Sequence, residues 1–316
     1  MRLIIVTFLS LISLKVYGVT PQEFLSFPFQ ELDLRYQIGE EWGKKPVTEE
    51  DLQKNPYFRR MANATARVRR GGTGFYIGKY NGKFIMATNH HVCPAESYCT
   101  GKEVVEFPLL GYRAGMNEFY GSWPEIDLAL FAISVEPKEK ETIDILEKIA
   151  SPFAFDNNLY RGEKLLTVGF GIADNMLQKM VANQDSDCIV FSGDKEYRLM
   201  SDPDAFNPSD YQAWSFSNGC DVSHGDSGSA MMDRDTGQVI GIIWTGKIPK
   251  SSKVQSKAYL QNLLQNPNED IWSELSYGVP AVHMKRYLNE QLANGSIDES
   301  KQIILRAILD GRFDAK

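Results

Sequence analysis

The chain has 316 residues, of which 43% are hydrophobic and 24% charged, and its formal net charge is -7. This length allows one or two domains with a substantial buried core. The mild acidity argues against nucleic acid as a partner, because nucleic-acid-binding domains present clustered positive charge. Composition excludes little else, and the function has to be inferred from motifs.

Residues 1–18 are predicted to be a secretory signal peptide. Arg2 supplies the positive charge, and residues 3–14 form an apolar core that is too short for a comfortable membrane span. We expect cleavage after Gly18 and a secreted or periplasmic protein; a buried N-terminal helix is the alternative. No later stretch has eighteen or more apolar residues, so no stable membrane span is expected after signal removal.

Residues 19–66 differ in character from the rest of the chain and carry no identifiable chemistry. Thr48 followed by three acidic residues is typical of a helix N-terminus, with the threonine as cap. Two interpretations stay open for this segment. It is either a propeptide or an N-terminal extension that packs on the first barrel of a two-barrel fold.

From about residue 67 the sequence consists of short β segments separated by turn signals. Asn81-Gly82 predicts a tight hairpin between two of them. Strands are predicted at residues 72–78, 83–87, 165–170, 187–191, 229–232, 238–244 and 276–279. A charged, partly helical link is predicted at 137–151, and helices are predicted after Pro280 and at 299–309. This pattern predicts an all-β, two-barrel fold with a C-terminal helical segment.

Three short motifs carry chemistry. They are Thr88-Asn89-His90-His91-Val92, Ile126-Asp127-Leu128-Ala129-Leu130 and Gly225-Asp226-Ser227-Gly228-Ser229-Ala230. A serine hydroxyl is a poor nucleophile unless a neutral imidazole takes its proton and a carboxylate orients that imidazole. Alone, each motif has an ordinary interpretation as a surface histidine pair, a strand-end cap or a turn. Together, in this order, they indicate a hydrolytic site.

Two other enzyme classes fit the motifs less well. In an α/β-hydrolase the acid and the histidine follow the nucleophile, whereas His91 and Asp127 precede Ser227 here. A zinc site built from His90, His91, Cys93 and Cys99 matches no standard spacing. A zinc-dependent hydrolase using this region is kept as a further hypothesis.

The three motifs resemble the chymotrypsin/trypsin family of serine endopeptidases, especially its secreted bacterial branch, over about residues 70–285. The resemblance implies two Greek-key β-barrels, at 67–145 and 146–280, with the active site between them and a helical segment at 281–316. It implies Ser227 as nucleophile, His91 as general base and then acid, and Asp127 as its orienter. The substrates would be proteins or peptides, cut through an acyl-enzyme, with no cofactor and no metal.

The same resemblance implies the substrate-binding groups. The backbone N–H groups of Gly225 and Ser227 would form the oxyanion hole, and Ile243, Trp244 and Gly246 would line the specificity pocket. Asp221 lies six residues before Ser227, at the place of the pocket-floor aspartate in trypsins, which would select Arg or Lys before the cut. Alternatively, Asp221 points elsewhere.

Four cysteines in an exported chain predict two disulfides. Three pairings are possible. Cys93 and Cys99 would close a short loop just after His91, and Cys188 and Cys220 would then join a strand of the second half to the segment that leads into Ser227.

Two further questions stay open. In zymogens of this family a released N-terminus pairs with the aspartate beside the nucleophile, here Asp226. Arg67-Val68 lies too close to Gly74 to supply such an arm, so Asp226 is paired differently or solvated. A catalytically silent binding module on the same fold is the alternative function, and the sequence predicts no oligomeric state.

Overall fold

The computed structural model describes residues 35–68, 71–101, 103–136, 139–171, 179–202, 211–246, 252–312 and 314. The predicted signal peptide lies outside these residues. Within them, no helix has the length and apolar character needed to span a bilayer.

Most of the described residues that have regular structure lie in strands. The strands are β1 (Arg35–Tyr36), β2 (Lys44–Pro46), β3 (Thr65–Val68), β4 (Gly72–Tyr80), β5 (Lys83–Thr88), β6 (Val105–Phe107), β7 (Tyr112–Ala114), β8 (Met116–Trp123), β9 (Leu128–Ile133), β10 (Leu165–Gly169), β11 (Val181–Asn183), β12 (Arg198–Ser201), β13 (Gln212–Asn218), β14 (Val222–Ser223), β15 (Ala230–Asp233), β16 (Val239–Thr245) and β17 (Ser276–Pro280). The α-helices are α1 (Glu49–Lys54), α2 (Pro56–Ala64), α3 (Lys140–Ile149), α4 (Lys257–Gln265), α5 (Asp270–Ser273), α6 (Ala281–Ala293) and α7 (Glu299–Leu309).

Seven strands form the first sheet, in the order β7-β6-β3-β4-β5-β9-β8, with antiparallel pairing throughout. The predicted hairpin joins β4 to β5, and Asn81 and Gly82 adopt φ values of 49° and 74° there. Positive φ at both central residues suits the right-handed twist of paired strands. Every residue of β9 is buried, as its continuous apolar run indicates.

Eight strands form the second sheet, in the order β12-β13-β17-β16-β15-β10-β11-β2, also antiparallel. A small third pairing joins β1 to β14, directly before the nucleophile motif. The predicted fold class, all-β with two antiparallel barrels and a C-terminal helical segment, is confirmed. The strand predicted at 187–191 is wrong, because this segment makes only isolated bridges at Ile189 and Val190.

The sequence left open that the segment before the first sheet is an extension packed on the first barrel. In the structure this segment packs on both sheets. Strand β2 pairs with β11 at the edge of the second sheet. Helix α1 begins at the predicted cap, where the Thr48 hydroxyl accepts the N–H of Asp51. Helix α2 then packs against β4 and α3 on the side of the first sheet. The segment therefore contacts both sheets.

The C-terminal helices contact both sheets in the opposite order. Helix α6 packs against β16 and β17 of the second sheet, and α7 packs against β4 of the first. Beyond α7, the Asp314 carboxylate accepts the backbone N–H groups of Asn81 and Gly82 at the β4–β5 turn. The end of the chain is thus bonded to the first hairpin.

Candidate active site

His91 and Asp127 are bonded to each other at the end of the first sheet. Asp127 follows the 3-10 turn Pro124–Ile126 and is fully buried, with a φ of 35° that aspartate tolerates better than most residues. Its Oδ2 lies 2.9 Å from His91 Nδ1, and its Oδ1 accepts the backbone N–H of His91 at 3.1 Å. Because an ionised carboxylate can only accept, Nδ1 carries the proton and Nε2 keeps its lone pair.

The environment of His91 favours its protonated form. The side chain is 36% exposed, and the protein around the remainder lowers the pKa by desolvation. The negative charge of Asp127 and its hydrogen bond outweigh that effect, and Asp202 adds to them, so the pKa of His91 is raised above its ordinary value. A histidine of this kind is a stronger base than a free imidazole.

His90 has a different environment. Its Nδ1 lies 2.7 Å from the Ser122 hydroxyl, and its ring stacks on Tyr211 with 5.9 Å between centroids. Burial lowers the pKa of His90. Its side chain does not line the cleft that His91 faces, which suits a structural histidine.

Tyr211 covers this histidine pair from the second sheet. Its ring lies edge-on to His91, with centroids 6.4 Å apart, and edge-on to Trp244 at 5.6 Å. Burial, followed by the charge of Asp127, raises its pKa. No sequence motif indicates this residue, because its contacts are with residues that are distant in the chain.

Ser227 lies in the tight turn between β14 and β15. The turn is possible because Gly225 and Gly228 adopt φ values of 96° and 88°, which side chains other than glycine rarely accept. At Gly228 a Cβ would also collide with the carbonyl of Thr73. The backbone N–H groups of Gly225 and Ser227 donate no hydrogen bond within the described part of the chain, so both are available to an incoming oxygen.

Thr73 of β4 fixes this turn from the opposite sheet. Its hydroxyl donates to the carbonyl of Gly225 at 2.7 Å and accepts the N–H of Phe170 at 3.1 Å. Its backbone N–H donates to the carbonyl of Ser227 at 2.8 Å. The close approach of the two segments depends on Gly228, where a Cβ would collide with the carbonyl of Thr73.

A cleft of about 420 Å³ brings the two halves of the site together. His91, which follows strand β5 of the first sheet, lies on one side of the cleft, and Ser227 lies on the other side. No hydrogen bond joins their side chains among the contacts of the described residues, and such bonds often form only with substrate bound. The cleft is lined by Val68, Gly71, Gly72, His91, Val92, Asp202, Val222, Ser223, His224, Gly225, Ser227, Ile243, Trp244, Thr245 and Gly246.

This lining includes three of the four predicted specificity residues. Ile243, Trp244 and Gly246 border the cleft, although the first two expose only 2% of their surface. Trp244 is held by its Nε1–H, which donates to the Ser215 hydroxyl at 2.8 Å.

The prediction that Asp221 floors this pocket is wrong. Asp221 is fully buried and does not line the cleft. Its carboxylate accepts the backbone N–H of Ile38 at 2.6 Å and that of Gly43. Burial raises the pKa of Asp221 to about 8, and the two amide donors oppose that rise. The N-terminal segment, whose position the sequence left open, therefore supplies the hydrogen-bond partners of the Asp221 carboxylate.

A different acid lies in the cleft. Asp202 follows β12, and its carboxylate accepts the Thr245 hydroxyl at 2.7 Å. Its charge contributes to the raised pKa of His91, so it lies near that side chain. The sequence gives no motif for this position.

The cysteines are paired as expected, Cys93 with Cys99 and Cys188 with Cys220. The first bond closes the loop directly after His91. The zinc hypothesis thereby loses two of its four ligands, because sulfurs joined to each other are not thiolates. Among the described residues no group of three or more His, Cys, Asp or Glu side chains could hold a metal.

Comparison with known proteins gives one family. The family model described as "Trypsin-like peptidase domain" matches residues 72–242. No curated protein matches the sequence. Solved structures that match include the Rv3671c protease from M. tuberculosis in its active form, with 18% identity, 81% of this chain and 89% of that chain covered, and a TM-score of 0.47. They also include the serine endoprotease from Yersinia pestis, with 17% identity, 79% of this chain and 69% of that chain covered, and a TM-score of 0.45.

Proposed function

Because this chain belongs to the trypsin-like peptidase domain family, we propose that it is a serine endopeptidase of an exported kind, with Ser227, His91 and Asp127 as its catalytic residues. Family membership makes the chain a peptidase. The finer assignment depends on the side chains of its cleft.

One observation carries this proposal. The His91–Asp127 pair, bonded at 2.9 Å, opens onto the same cleft as Ser227, and the two sides come from different sheets. The carboxylate occupies Nδ1, so the free lone pair of His91 belongs to Nε2. A serine hydroxyl in this cleft is the group that such a base would activate.

The reaction follows from these positions. Ser227 Oγ attacks the carbonyl carbon of the peptide bond while His91 Nε2 takes its proton. The carbonyl oxygen, which becomes negative, accepts hydrogen bonds from the backbone N–H groups of Gly225 and Ser227, which donate to no other group in the described part of the chain. His91 then returns the proton to the leaving amine, and water hydrolyses the acyl-enzyme by the same route. Asp127 keeps the imidazole oriented and stabilises its cationic form.

The substrate proposed is a protein or peptide chain that lies along β16. Asp202 supports a preference for Arg or Lys before the cut, because its carboxylate lies in the cleft beside Thr245. This assignment replaces the one based on Asp221. Two disulfides support a protein that functions in an oxidising compartment, outside the cell or in a periplasm.

Labelling by a fluorophosphonate tests the function directly, because this probe modifies an activated serine. Wild-type protein should be labelled once per chain, and Ser227→Ala should not. Ser229→Ala is the matched control: Ser229 lies two residues away, is fully buried, and its hydroxyl has no hydrogen-bond partner among the described residues. A folded wild-type protein that resists the probe and hydrolyses no peptide would identify a silent binding module instead.

A further inference from the structure

A lysine from the N-terminal segment is paired with the acid that precedes the nucleophile. Lys44 Nζ forms an ion pair with Asp226 Oδ2, and the two side chains expose only 2% and 1% of their surface. A charge buried to this degree is costly unless an opposite charge accompanies it. Lys44 and Asp226 therefore neutralise each other inside the protein.

The carboxylate of Asp226 also shapes the turn that carries Ser227. Its Oδ2 accepts the backbone N–H of Ser223 at 2.8 Å and the Ser223 hydroxyl at 3.2 Å. The side chain thus folds back over residues 223–226. It has little room elsewhere, because a Cβ at Gly171 would lie 2.6 Å from Oδ2.

The two amides proposed for the oxyanion hole lie on either side of this acid, at Gly225 and Ser227. Their direction depends on the backbone angles of residues 225–227, and those angles depend on where the Asp226 side chain is held. A charge that fixes the carboxylate therefore fixes the amides.

The segment that carries Lys44 is itself firmly attached. Strand β2 pairs with β11, and the amide of Gly39 donates to the carbonyl of Val254 at 2.9 Å. Asp221 accepts the amides of Ile38 and Gly43 just before Lys44. Asp221 lies five residues before Asp226, so the segment and the nucleophile turn are joined at two adjacent points.

From these contacts we infer that Lys44 is a positioning residue for the nucleophile turn. Its ammonium group, supplied from within the chain, holds Asp226 and with it the oxyanion amides. Residues 38–46 are then part of the active enzyme and not a removable propeptide, and no newly released α-amino group is needed at Asp226. This inference rests on the proposed function, since it concerns the same turn.

The charge of Lys44 is tested with a variant and a control from the same strand. Lys44→Met keeps the length of the side chain without its charge, and the fluorophosphonate labelling rate should fall about a hundredfold or more, as for loss of an oxyanion donor. Lys45→Met should label like wild type, because the Lys45 ammonium is at the surface and, among the described residues, donates to the carbonyl of Trp42. Circular dichroism verifies that each variant is folded.

Chemical rescue separates charge from packing. Lys44→Ala should regain labelling by about tenfold or more in n-propylammonium, which restores the buried cation, and none in n-propanol, which restores only volume. Equal rescue by both compounds would assign Lys44 a packing role and overturn the inference. Labelling of folded Lys44→Met at the wild-type rate would do the same while leaving the proposed function intact.

A measurement on the wild type decides the matter even if the Lys44 variants do not fold. The intact mass of the probe-labelled protein should show that Lys44 is still present. A labelled species that begins after residue 46 would overturn the inference, because it would be active without this segment. Failure of the wild type to label at all contradicts the proposed function and not merely the part assigned to Lys44.

Discussion

Replacement of Thr73 by valine should impair catalysis more than its small change in shape suggests. Thr73 is fully buried, and its hydroxyl is bonded to the carbonyl of Gly225 and to the N–H of Phe170. Valine has nearly the same shape but no hydroxyl, so both backbone groups would lose their partners. The carbonyl of Gly225 is part of the turn that carries the two amides proposed for the oxyanion hole.

The size of the effect follows from these two bonds. A buried polar group left without a partner costs about 1–3 kcal/mol, so the two groups together cost about 2–6 kcal/mol. If the turn relaxes to recover even about 2 kcal/mol, the active geometry is disfavoured by that amount, which lowers kcat/KM about thirtyfold. If the turn does not relax, the free energy of unfolding falls by the same amount instead, and each kcal/mol lost lowers the melting temperature by about 2–4 °C.

Thr73→Ser is the matched control, because it keeps the hydroxyl and removes only a methyl group. We expect its kcat/KM to remain within about threefold of wild type, with a loss of stability of about 1 kcal/mol. The assay is hydrolysis of a chromogenic peptide ester, with active-site titration to count competent molecules and thermal unfolding to separate stability from catalysis. If valine leaves both kcat/KM and melting temperature unchanged, or if serine is as damaging as valine, the Thr73 hydroxyl does not support the turn.

Two further predictions concern the cleft. His91→Ala should abolish hydrolysis, whereas His90→Ala should lower it only slightly. In the wild type, kcat/KM should fall on acidification with a midpoint above about pH 6.5, because a base with a raised pKa is protonated at higher pH. Equal loss of activity in both variants, or a midpoint below about pH 6, contradicts the assignment of His91 as the base. Asp202→Asn should reduce cleavage after Arg and Lys, relative to cleavage after Leu, by about tenfold or more. Asp221→Ser should lower thermal stability and leave the cleavage profile unchanged. Both profiles are measured with a peptide library, and a wild-type preference for apolar or acidic residues before the cut would exclude the role of Asp202.

The parts of the fold that could be predicted are those fixed by local sequence. Helix 299–309 has the predicted bounds, and the hairpin at Asn81-Gly82 forms where the turn residues require it. Strand β13 was missed because its inward positions include Ser215 and Ser217, which interrupt the apolar pattern. Both are buried yet bonded, one to the Trp244 indole and the other to the carbonyl of Ile271. A period-2 search for apolar residues does not detect a strand of this kind.

The same distinction applies to the site. The His, Asp and Ser motifs are local signals in the sequence. The structure places His91 and Ser227 on one cleft and buries Asp127 behind His91. The sequence does not indicate Lys44, Thr73 or Asp202, because the roles proposed for them depend on contacts with residues far away in the chain. Asp221 was misassigned for the same reason: its position relative to Ser227 suits a pocket floor, but the segment containing Ile38 and Gly43 uses its carboxylate.

The two ends of the described chain are crossed with respect to the sheets. Strand β2 precedes the first sheet in sequence yet pairs with the second, and α7 with Asp314 follows the second yet binds the first. The second sheet therefore needs a strand that precedes the first sheet in the chain, and the first sheet needs residues that follow the second. Folding should therefore be slow and cooperative, because closing such long loops is entropically costly before the contacts reward it. For a member of a peptidase family, the same interlocking would suppress partial opening and so reduce cleavage by other copies of the protein.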